Sequence, residues 1–289
     1  MTTQETDLAV AEPRDAAGSS STGVTPRRLM DLVKQPFYWL YEKRLLSKVN
    51  DWVLPQHIGI IMDGNRRYAR SLGLPHVSHG HNRGAERLWD VLNWCYEVGV
   101  PVVTVWSFSL ENFERDTGEV EALLELFEEK TREIAEHDDV HRHEIRVRYL
   151  GEIGLLPESL QEAIQHAEEA TAKYSKYQLN IAMAYGGRQE ITEAFRSYLR
   201  DEASRGLSMD EIVEKLDKSS IEPYLYTYGQ PEPDLILRTS GEVRLSGFLL
   251  WQSAYAEYYF CDANWPALRK IDLLRALRSY AGRQRRLGR

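Results

Sequence analysis

Short apolar runs alternate with stretches of helical periodicity from about residue 54 onward. The apolar runs are rich in β-branched and aromatic residues and predict six strands: Ile58–Met62, Val102–Phe108, Ile145–Leu150, Leu179–Tyr185, Leu235–Leu237 and Tyr258–Cys261. Between the strands, apolar side chains recur at helical spacing, for example at Ala85, Leu88, Val91, Leu92 and Cys95. This alternation is typical of an α/β fold, with a central, mostly parallel six-stranded sheet flanked by helices.

The first fifty residues have a different character. Residues 1–26 contain few large apolar side chains, and we expect this tail to be disordered. Residues 27–52 mix aromatic and basic side chains, which predicts an amphipathic helical extension broken near Pro36. Packing on the parent domain or a partner subunit is the commoner use of such a helix, and peripheral contact with an anionic membrane is the alternative. Residues 53–289 are expected to form one domain with a basic C-terminal tail.

Composition excludes several classes of protein. The net charge is −8, from 36 basic and 44 acidic residues, which argues against a general nucleic-acid binder. The sequence has no apolar run long enough to cross a bilayer and no secretory signal, so we expect a cytoplasmic protein. Cys95 and Cys261 lack metal-ligand spacing and are predicted to be buried thiols.

Polar residues follow several of the predicted strands. In a parallel sheet these positions share one edge, and ligands bind there. The segments concerned are Asp63–Arg67, Ser109–Arg115, Gly186–Arg188 and Arg238–Ser246. Because they are rich in arginine and hydroxyl groups, they predict a site for anions.

Asp63 and its neighbours predict a phosphate and metal site. Gly64 permits a sharp turn after the strand, Arg67 supplies a fork of N–H donors, and Asp63 can hold Mg²⁺ against a diphosphate. The alternative is an ordinary turn with an N-capping aspartate. Arg238 and Arg244, close in sequence to hydroxyl groups, suit a second diphosphate.

Glu257 lies in an otherwise apolar run, where an unpaired carboxylate is costly to bury. Either an arginine or a metal ion would neutralise it. Two diphosphate sites and a carboxylate for Mg²⁺ suggest transfer of a group that leaves pyrophosphate behind. Aromatic residues near both arginine clusters, including Trp106, Phe108 and Trp251, suggest that the transferred group is a hydrocarbon.

With these residues in order, the chain resembles the cis-prenyltransferases, the undecaprenyl diphosphate synthase-like isoprenyl transferases, over about residues 55–288. The matching segments are Ile61–Arg67, Phe108–Asn112, Tyr185–Arg188, Leu237–Glu242, Arg244–Gln252 and Ala254–Glu257. The resemblance implies a homodimer with a hydrophobic tunnel. It also implies Mg²⁺-dependent condensation of isopentenyl diphosphate with an allylic diphosphate of geranyl or farnesyl type, giving a Z-polyprenyl diphosphate and releasing pyrophosphate.

The resemblance also implies roles for individual residues. Asp63, His81, Ser109 and Asn112 would be catalytic, and Asp63 and Glu257 would bind the metal ion. The substrate-binding residues would be Gly64, Asn65, Arg66, Arg67, Tyr68, Phe113, Arg115, Arg188, Arg238, Arg244, Ser246, Arg286 and Gly288. Of these, Arg286 and Gly288 belong to a tail that would reach across the dimer.

Some positions depart from the commonest family pattern. Arg66 replaces a usual Gly, Tyr68 and Phe113 replace Trp, and Val243 replaces a His. An arginine often found between Gly73 and Gly80 is also absent, which bears on the contacts with the primer phosphates. These changes resemble the short-chain Z-farnesyl branch.

Ser107 and Val147 are nevertheless small where bulk would block a tunnel, so these residues leave product length open, and a short- to medium-chain product is expected. Two other functions are weighed: a non-catalytic partner subunit, and irregular coupling by branching or cyclisation. A partner subunit tends to lose the aspartate and arginines that are present here.

Overall fold

The computed structural model describes residues 37–283. Some of the predictions concern residues outside this range, namely the tail at 1–26, the break near Pro36, and the roles of Arg286 and Gly288. The chain divides into two units, 1–41 and 42–289. In the first unit the described residues, 37–41, are helical, and the second unit begins with helical residues 42–46 (α1). Helical structure was predicted for both of these segments, as part of the extension at 27–52. Contact of that extension with a membrane stays a prediction.

A six-stranded parallel sheet forms the centre of the second unit. Its strands are β1 (His57–Ile61), β2 (Val102–Trp106), β3 (Ile145–Leu150), β4 (Tyr177–Ala182), β5 (Leu235–Arg238) and β6 (Glu257–Phe260). The strand order is β3-β4-β2-β1-β5-β6, and every neighbouring pair is parallel. The predicted α/β class and all six predicted strands are therefore confirmed.

Helices connect the strands and cover the sheet. They are α2 (Asn65–Ser71), α3 (Ser78–Val98), α4 (Thr117–Glu136), α5 (Asp138–Arg142), α6 (Glu158–Thr171), α7 (Gly187–Ser204), α8 (Met209–Lys215), α9 (Lys218–Ile221) and α10 (Lys270–Ala281). All five residues of β1 are buried, because this strand lies inside the sheet and is covered on both faces. Within 37–283, no helix is long and apolar enough to span a membrane.

Two glycines of α3 allow this helix to pack closely against the start of α2. A Cβ at Gly80 would lie 2.2 Å from the carbonyl oxygen of Asn65, and one at Gly84 would lie 2.4 Å from Asn65 Oδ1. Trp265 adds to this contact, since its Nε1 donates a 2.8 Å hydrogen bond to the Gly84 carbonyl. The close packing fixes the start of α2 beside the end of β1.

A buried polar cluster centres on His57, at the beginning of β1. Its two ring nitrogens lie 2.7 Å from the Pro231 carbonyl oxygen and 2.7 Å from Thr104 Oγ1. Asn180 Nδ2 donates a 2.9 Å hydrogen bond to the same hydroxyl. Burial lowers the pKa of His57 to about 4, although the Pro231 carbonyl and the Asp234 charge act in the opposite direction. The imidazole is therefore neutral at pH 7.

Candidate active site

A cavity of about 440 Å³ lies at the carboxyl edge of the sheet. Eleven of the predicted site residues line it: Asp63, Gly64, Asn65, Arg66, Arg67, His81, Ser109, Asn112, Arg115, Arg238 and Ser246. They come from four separate parts of the chain that the parallel sheet places at one edge. The structure therefore brings together most of the residues that the sequence placed after the strands.

Asp63 lies two residues beyond the end of β1 and faces this cavity. Its Oδ2 accepts a 2.9 Å hydrogen bond from Arg238 Nη2 and lies 3.5 Å from Arg67 Nη2. Burial by itself raises the pKa of Asp63, but the hydrogen bond and charge of Arg238, with the charge of Arg67, outweigh it and lower the pKa below its ordinary value. Asp63 is therefore a carboxylate at neutral pH.

Gly64 makes the turn between β1 and α2. Its φ is +104°, a conformation that side chains rarely adopt. A Cβ here would also lie 2.5 Å from Asn264 Oδ1 and 2.9 Å from Ser240 Cβ. Both the backbone angle and the lack of space require glycine at this position, as the sequence predicted.

Five arginines line the cavity: Arg66, Arg67, Arg70, Arg115 and Arg238. Four of them have exposed or half-buried side chains, whereas Arg238 is 4% exposed. Arg67 is positioned by the Ser240 carbonyl oxygen, 3.0 Å from its Nη1, and by Glu242, 3.1 Å from its Nη2. This concentration of guanidinium groups around one carboxylate suits polyanionic ligands.

Glu119, near the start of α4, lies close to two arginines and a histidine of the cavity. Its Oε1 lies 3.2 Å from Arg115 Nη1, 3.6 Å from Arg66 Nε and 3.9 Å from His81 Nε2. Burial, and then the charge of Arg115, lower the pKa of His81 to about 4 despite the opposing effect of Glu119. A neutral His81 can hydrogen-bond to a ligand but carries little positive charge at pH 7.

Ser109 and Asn112 lie in the turn that follows β2. The backbone N–H of Ser109 donates a 3.2 Å hydrogen bond to Asn112 Oδ1, and the backbone N–H of Asn112 donates a 3.0 Å bond to the Ser109 carbonyl. These two bonds close a 3₁₀ turn over Leu110–Glu114. The turn holds both polar side chains at the cavity wall.

Within residues 37–283, four predicted substrate-binding residues do not line the cavity. Tyr68 is half-buried on α2, and Phe113 packs at 4.9 Å against Phe108, which does line it. Arg188 is exposed at the start of α7. The side chain of Arg244 is 61% exposed and pairs with Glu242, while its carbonyl oxygen accepts a hydrogen bond from Arg238. Their roles in binding stay predictions.

Glu257, the second predicted metal ligand, lies at the other edge of the sheet. It is the first residue of β6 and pairs with Leu235 at the beginning of β5, whereas Asp63 follows the end of β1. Its Oε2 accepts a hydrogen bond from Arg283, 2.5 Å away. An arginine and a metal ion were the two partners expected to neutralise Glu257, and the single chain supplies the arginine. A metal-binding role beside Asp63 would need a second chain.

Seven residues of the cavity wall were not predicted site residues, and Arg70 and Trp106 are two of them. Arg70 follows Arg66 and Arg67 on α2, and the spacing of these arginines along one helix was a usable signal. Trp106 ends β2 and had been noted only as a nearby aromatic residue. The sequence alone does not show on which face of the sheet such a terminal side chain lies.

A second, apolar cavity of about 90 Å³ lies between the sheet, α3 and α4. It shares Met62, Asn65, His81 and Ser107 with the polar cavity. Most of its remaining wall is apolar, including Leu88, Val105, Leu126, Phe127, Ile134, Ile181 and Met183. A charged cavity thus adjoins a space suited to hydrocarbon.

Comparisons with known proteins agree with this arrangement. The prenyltransferase family model described as undecaprenyl diphosphate synthase matches residues 61–288. An isoprenyl transferase of Thermus thermophilus is 52% identical over 264 residues, covering 91% of this chain and 99% of that protein. A tritrans,polycis-undecaprenyl-diphosphate synthase of Methanopyrus kandleri, named as geranylgeranyl-diphosphate specific, is 47% identical, with 93% of this chain and 98% of that protein covered.

A solved structure shows the same fold. The lavandulyl diphosphate synthase of Lavandula x intermedia, in complex with dimethylallyl diphosphate, matches with a TM-score of 0.74 at 33% identity. The match covers 82% of this chain and 99% of that one. By its sequence, its fold and its active-site cavity, the chain belongs to the undecaprenyl diphosphate synthase family of cis-prenyltransferases, and it is a prenyltransferase enzyme.

Proposed function

We propose that the chain is a Mg²⁺-dependent cis-prenyltransferase that condenses isopentenyl diphosphate with an allylic diphosphate of geranyl or farnesyl type. The product is a Z-polyprenyl diphosphate of short to medium length, and pyrophosphate is released. The observation that carries this proposal is the position of Asp63, an ionised carboxylate paired with Arg238 and Arg67 in a cavity that five arginines line, beside an apolar cavity.

The allylic diphosphate would bind at the start of α2. Asn65, Arg66, Arg67 and Arg70 line this side of the cavity, so one helix supplies three guanidinium groups. The allylic hydrocarbon would then extend into the apolar cavity, which Asn65 and His81 also line. The lavandulyl diphosphate synthase, whose structure contains dimethylallyl diphosphate, is a relative that binds an allylic diphosphate.

The isopentenyl diphosphate would bind on the other side of Asp63. Arg238 Nη1 donates a 2.8 Å hydrogen bond to Ser246 Oγ, so a guanidinium and a hydroxyl are already held together there. Arg244 lies in the same loop. Its long side chain is exposed, so it can contact an anion that enters from the solvent. Two anion sites on either side of one carboxylate match a reaction between two diphosphates.

Asp63 fits Mg²⁺, although no group of three or more His, Cys, Asp or Glu side chains within 37–283 could hold a metal ion. Mg²⁺ commonly binds through one or two carboxylates together with substrate phosphates. When bound, the ion would neutralise negative charge on the departing pyrophosphate. The depressed pKa of Asp63 keeps the required carboxylate ionised.

In the proposed reaction, the C1–O bond of the allylic substrate breaks, and its electron pair leaves with pyrophosphate. Arg66, Arg67 and Arg70 stabilise that leaving group. The isopentenyl double bond supplies the electrons for the new carbon–carbon bond, and a proton then leaves C2. Asp63, Asn112 acting through water or a hydroxyl, and the released pyrophosphate are the candidate proton acceptors.

The protein would act as a cytoplasmic homodimer. Residues 27–52 would pack on the parent domain or on the partner subunit, and peripheral contact with a membrane is the alternative for this segment. A second chain offers a way to bring Glu257, Arg286 and Gly288 to the diphosphates. The reading as a non-catalytic partner subunit is disfavoured by the retention of Asp63 and the arginines. Irregular coupling is kept as an alternative, because nothing in the motifs excludes it.

The proposal is tested with purified protein, Mg²⁺ and labelled isopentenyl diphosphate. Geranyl, farnesyl and geranylgeranyl diphosphates are supplied separately, and products are resolved by length and double-bond geometry. Z-products from geranyl or farnesyl diphosphate are expected. A strict requirement for geranylgeranyl diphosphate would correct the primer and agree with the specificity in the name of the Methanopyrus relative. Branched or cyclic products would replace regular elongation by irregular coupling.

A further inference from the structure

The start of α7 packs directly against the loop that carries Ser246. The N–H of Gly187 donates a 2.9 Å hydrogen bond to the carbonyl oxygen of Gly247. A Cβ at Gly187 would lie 2.4 Å from that oxygen and 2.9 Å from Leu250 Cγ. Glycine at this position therefore lets the helix and the loop approach each other, whereas the neighbouring Arg188 is exposed and lies outside the cavity wall.

The loop itself has an unusual backbone. Residues 246–255 form a series of turns, which we call the 246–255 segment. Within it, Ser246 and Leu249 have φ angles of +53° and +45°. Residues with side chains keep such conformations only where the surrounding structure imposes them. Because Ser246 Oγ accepts the hydrogen bond from Arg238 Nη1, the conformation of this segment decides how the two groups meet.

A buried carboxylate in the first turn of α7 supplies part of that surrounding structure. Glu190 is 2% exposed, and its Oε1 accepts hydrogen bonds from Gln252 Nε2, 2.8 Å away, and from the N–H of Tyr226, 3.0 Å away. Its Oε2 accepts a hydrogen bond from the hydroxyl of Tyr185. One side chain thus ties the start of α7 to the residue that follows β4 by three positions and, through Gln252, to the 246–255 segment.

Glu190 is an unusual choice for a purely structural position. Burial raises the pKa of this carboxyl, the three hydrogen bonds oppose that effect, and no cation among residues 37–283 contributes. Burying a carboxyl without a counter-charge is costly, and a well-packed apolar side chain would fill the same space at lower cost. A carboxylate is nevertheless suited to three converging donors, because it offers two acceptor oxygens and no donor of its own.

We propose that Glu190 is a positioning residue for isopentenyl diphosphate. It holds Gln252, and so the 246–255 segment, in the conformation that presents Ser246 and Arg238 to the diphosphate. Glu190 does not touch the substrate and transfers no proton. The inference rests on the proposed function, in which Arg238 and Ser246 bind this diphosphate.

Equilibrium dialysis with labelled isopentenyl diphosphate and Mg²⁺, without a primer, measures the effect on binding. In Glu190→Ala the buried donors lose their acceptor and the segment loses its anchor, so the Kd is expected to rise roughly tenfold or more. Glu190→Gln keeps the size and one acceptor oxygen, and it should recover most of the affinity. An unreactive thiolodiphosphate analogue of farnesyl diphosphate should bind the wild type and both variants alike, because its proposed site lies at the start of α2.

Glu202 provides a matched control on the same helix. It is 8% exposed and pairs with Arg205 at the other end of α7. Glu202→Ala therefore also removes a buried carboxylate from this helix, but it should leave the Kd for isopentenyl diphosphate near its wild-type value. Circular dichroism and urea unfolding show whether each variant is folded and how much stability it has lost.

A second variant keeps the test decisive if Glu190→Ala does not fold. Gln252→Met replaces the amide by a side chain of similar size and breaks the link between Glu190 and the 246–255 segment. The hydrogen bonds of Glu190 with Tyr185 and Tyr226 remain. This variant should weaken the binding of isopentenyl diphosphate selectively, as Glu190→Ala does.

The outcomes separate this inference from the proposed function. An unchanged Kd for isopentenyl diphosphate in folded Gln252→Met and Glu190→Ala overturns the inference. Equal weakening of isopentenyl diphosphate and the farnesyl analogue also overturns it, because the role would then be structural only. Failure of Glu190→Gln to recover affinity contradicts positioning by hydrogen bonds. A wild-type protein that makes no product with any primer contradicts the proposed function instead, and the binding measurements still decide the role of Glu190.

Discussion

Arg238 Nη2 donates a 2.9 Å hydrogen bond to Asp63 Oδ2, although 175 positions separate the two residues in sequence. The pairing follows from the sheet, in which Arg238 lies opposite Ile61, two residues before Asp63. In the proposed reaction the two groups serve different diphosphates. In the chain without substrate they neutralise each other, so substrates and metal must take over groups that are already ion-paired.

Replacing Arg238 by Gln should lower kcat/KM by about 10²–10³-fold, because a buried charge pair loses one partner and a diphosphate loses a ligand. Steady-state kinetics with isopentenyl diphosphate measure this loss. Arg132→Gln is the control, because Arg132 is 51% exposed and makes surface contacts far from the cavity, an ion pair with Glu128 and a hydrogen bond to the Ser159 carbonyl. A wild-type kcat/KM in the Arg238→Gln variant would contradict a role for Arg238 in binding a diphosphate.

His81 should stay neutral throughout the physiological pH range. Burial and the charge of Arg115 lower its pKa from 6.5 to about 4, so the neutral form predominates above pH 5. The imidazole C–H resonance of His81, identified with a His81→Asn variant, should therefore be constant between about pH 5.5 and 8. A titration midpoint near its ordinary value would contradict the geometry described for Arg66, Arg115 and Glu119.

His57 should make the folded protein less stable in mild acid. Its folded pKa of about 4 is below the ordinary value of 6.5, so the unfolded chain takes up the proton first as the pH falls. The stabilisation is fully present above about pH 6.5, diminishes below it and is lost once the pH falls through about 4. At about 1.4 kcal/mol per pKa unit, the free energy of unfolding should fall by on the order of 3 kcal/mol.

Urea unfolding between pH 7 and pH 4.5 measures this loss. The His57→Gln variant should show a flatter pH dependence over the same range, whatever its absolute stability. Because His81 has a similarly lowered pKa, His81→Asn is the matched variant that separates the two histidines. A slope unchanged by His57→Gln would assign the pH dependence to other groups.

Gly64 and Gly73 form a matched pair for testing the turn after β1. Both have positive φ, +104° and +64°, but only at Gly64 does an added Cβ meet other atoms within 4 Å. Gly73→Ala should cost roughly 1–2 kcal/mol of stability and leave turnover near normal. Gly64→Ala should cost more and also lower turnover, because the clash with Asn264 and Ser240 displaces the residues that follow Asp63. Equal effects of the two substitutions would count against a specific role for this turn.

The inner strands were predictable because their apolar runs are largely buried on both faces of a parallel sheet, as in β1 and β5. The predicted ends of the strands were less accurate. The run predicted to reach Tyr185 stops at Ala182, and Ala184 has a φ of +47°, which a strand cannot contain. After Trp106, the N–H groups of Ser107 and Phe108 both point to the carbonyl oxygen of Ala182, so the regular pairing ends. Hydrophobicity continues beyond the strand in both cases and cannot indicate the turn.

Much of the site was predictable for a topological reason, since residues that follow parallel strands meet at one edge. Glu257 is the first residue of its strand, and the same rule places it at the opposite end of the sheet. The residues left an arginine or a metal ion open as its partner, and the family resemblance favoured the metal. The sequence could not show that Glu119 joins Arg66, Arg115 and His81, because that cluster depends on how α3 and α4 pack. The orientation of Trp106 likewise depends on tertiary contacts.

The central claim is that Asp63 holds the metal-bound diphosphate at which condensation occurs. Its most direct test compares wild-type protein with Asp63→Asn, a variant of the same size, in Mg²⁺ with labelled isopentenyl diphosphate and the preferred primer. The account predicts a fall of about 10³-fold in formation of Z-product, with unchanged circular dichroism. Near-normal product formation by the folded Asp63→Asn protein would contradict it.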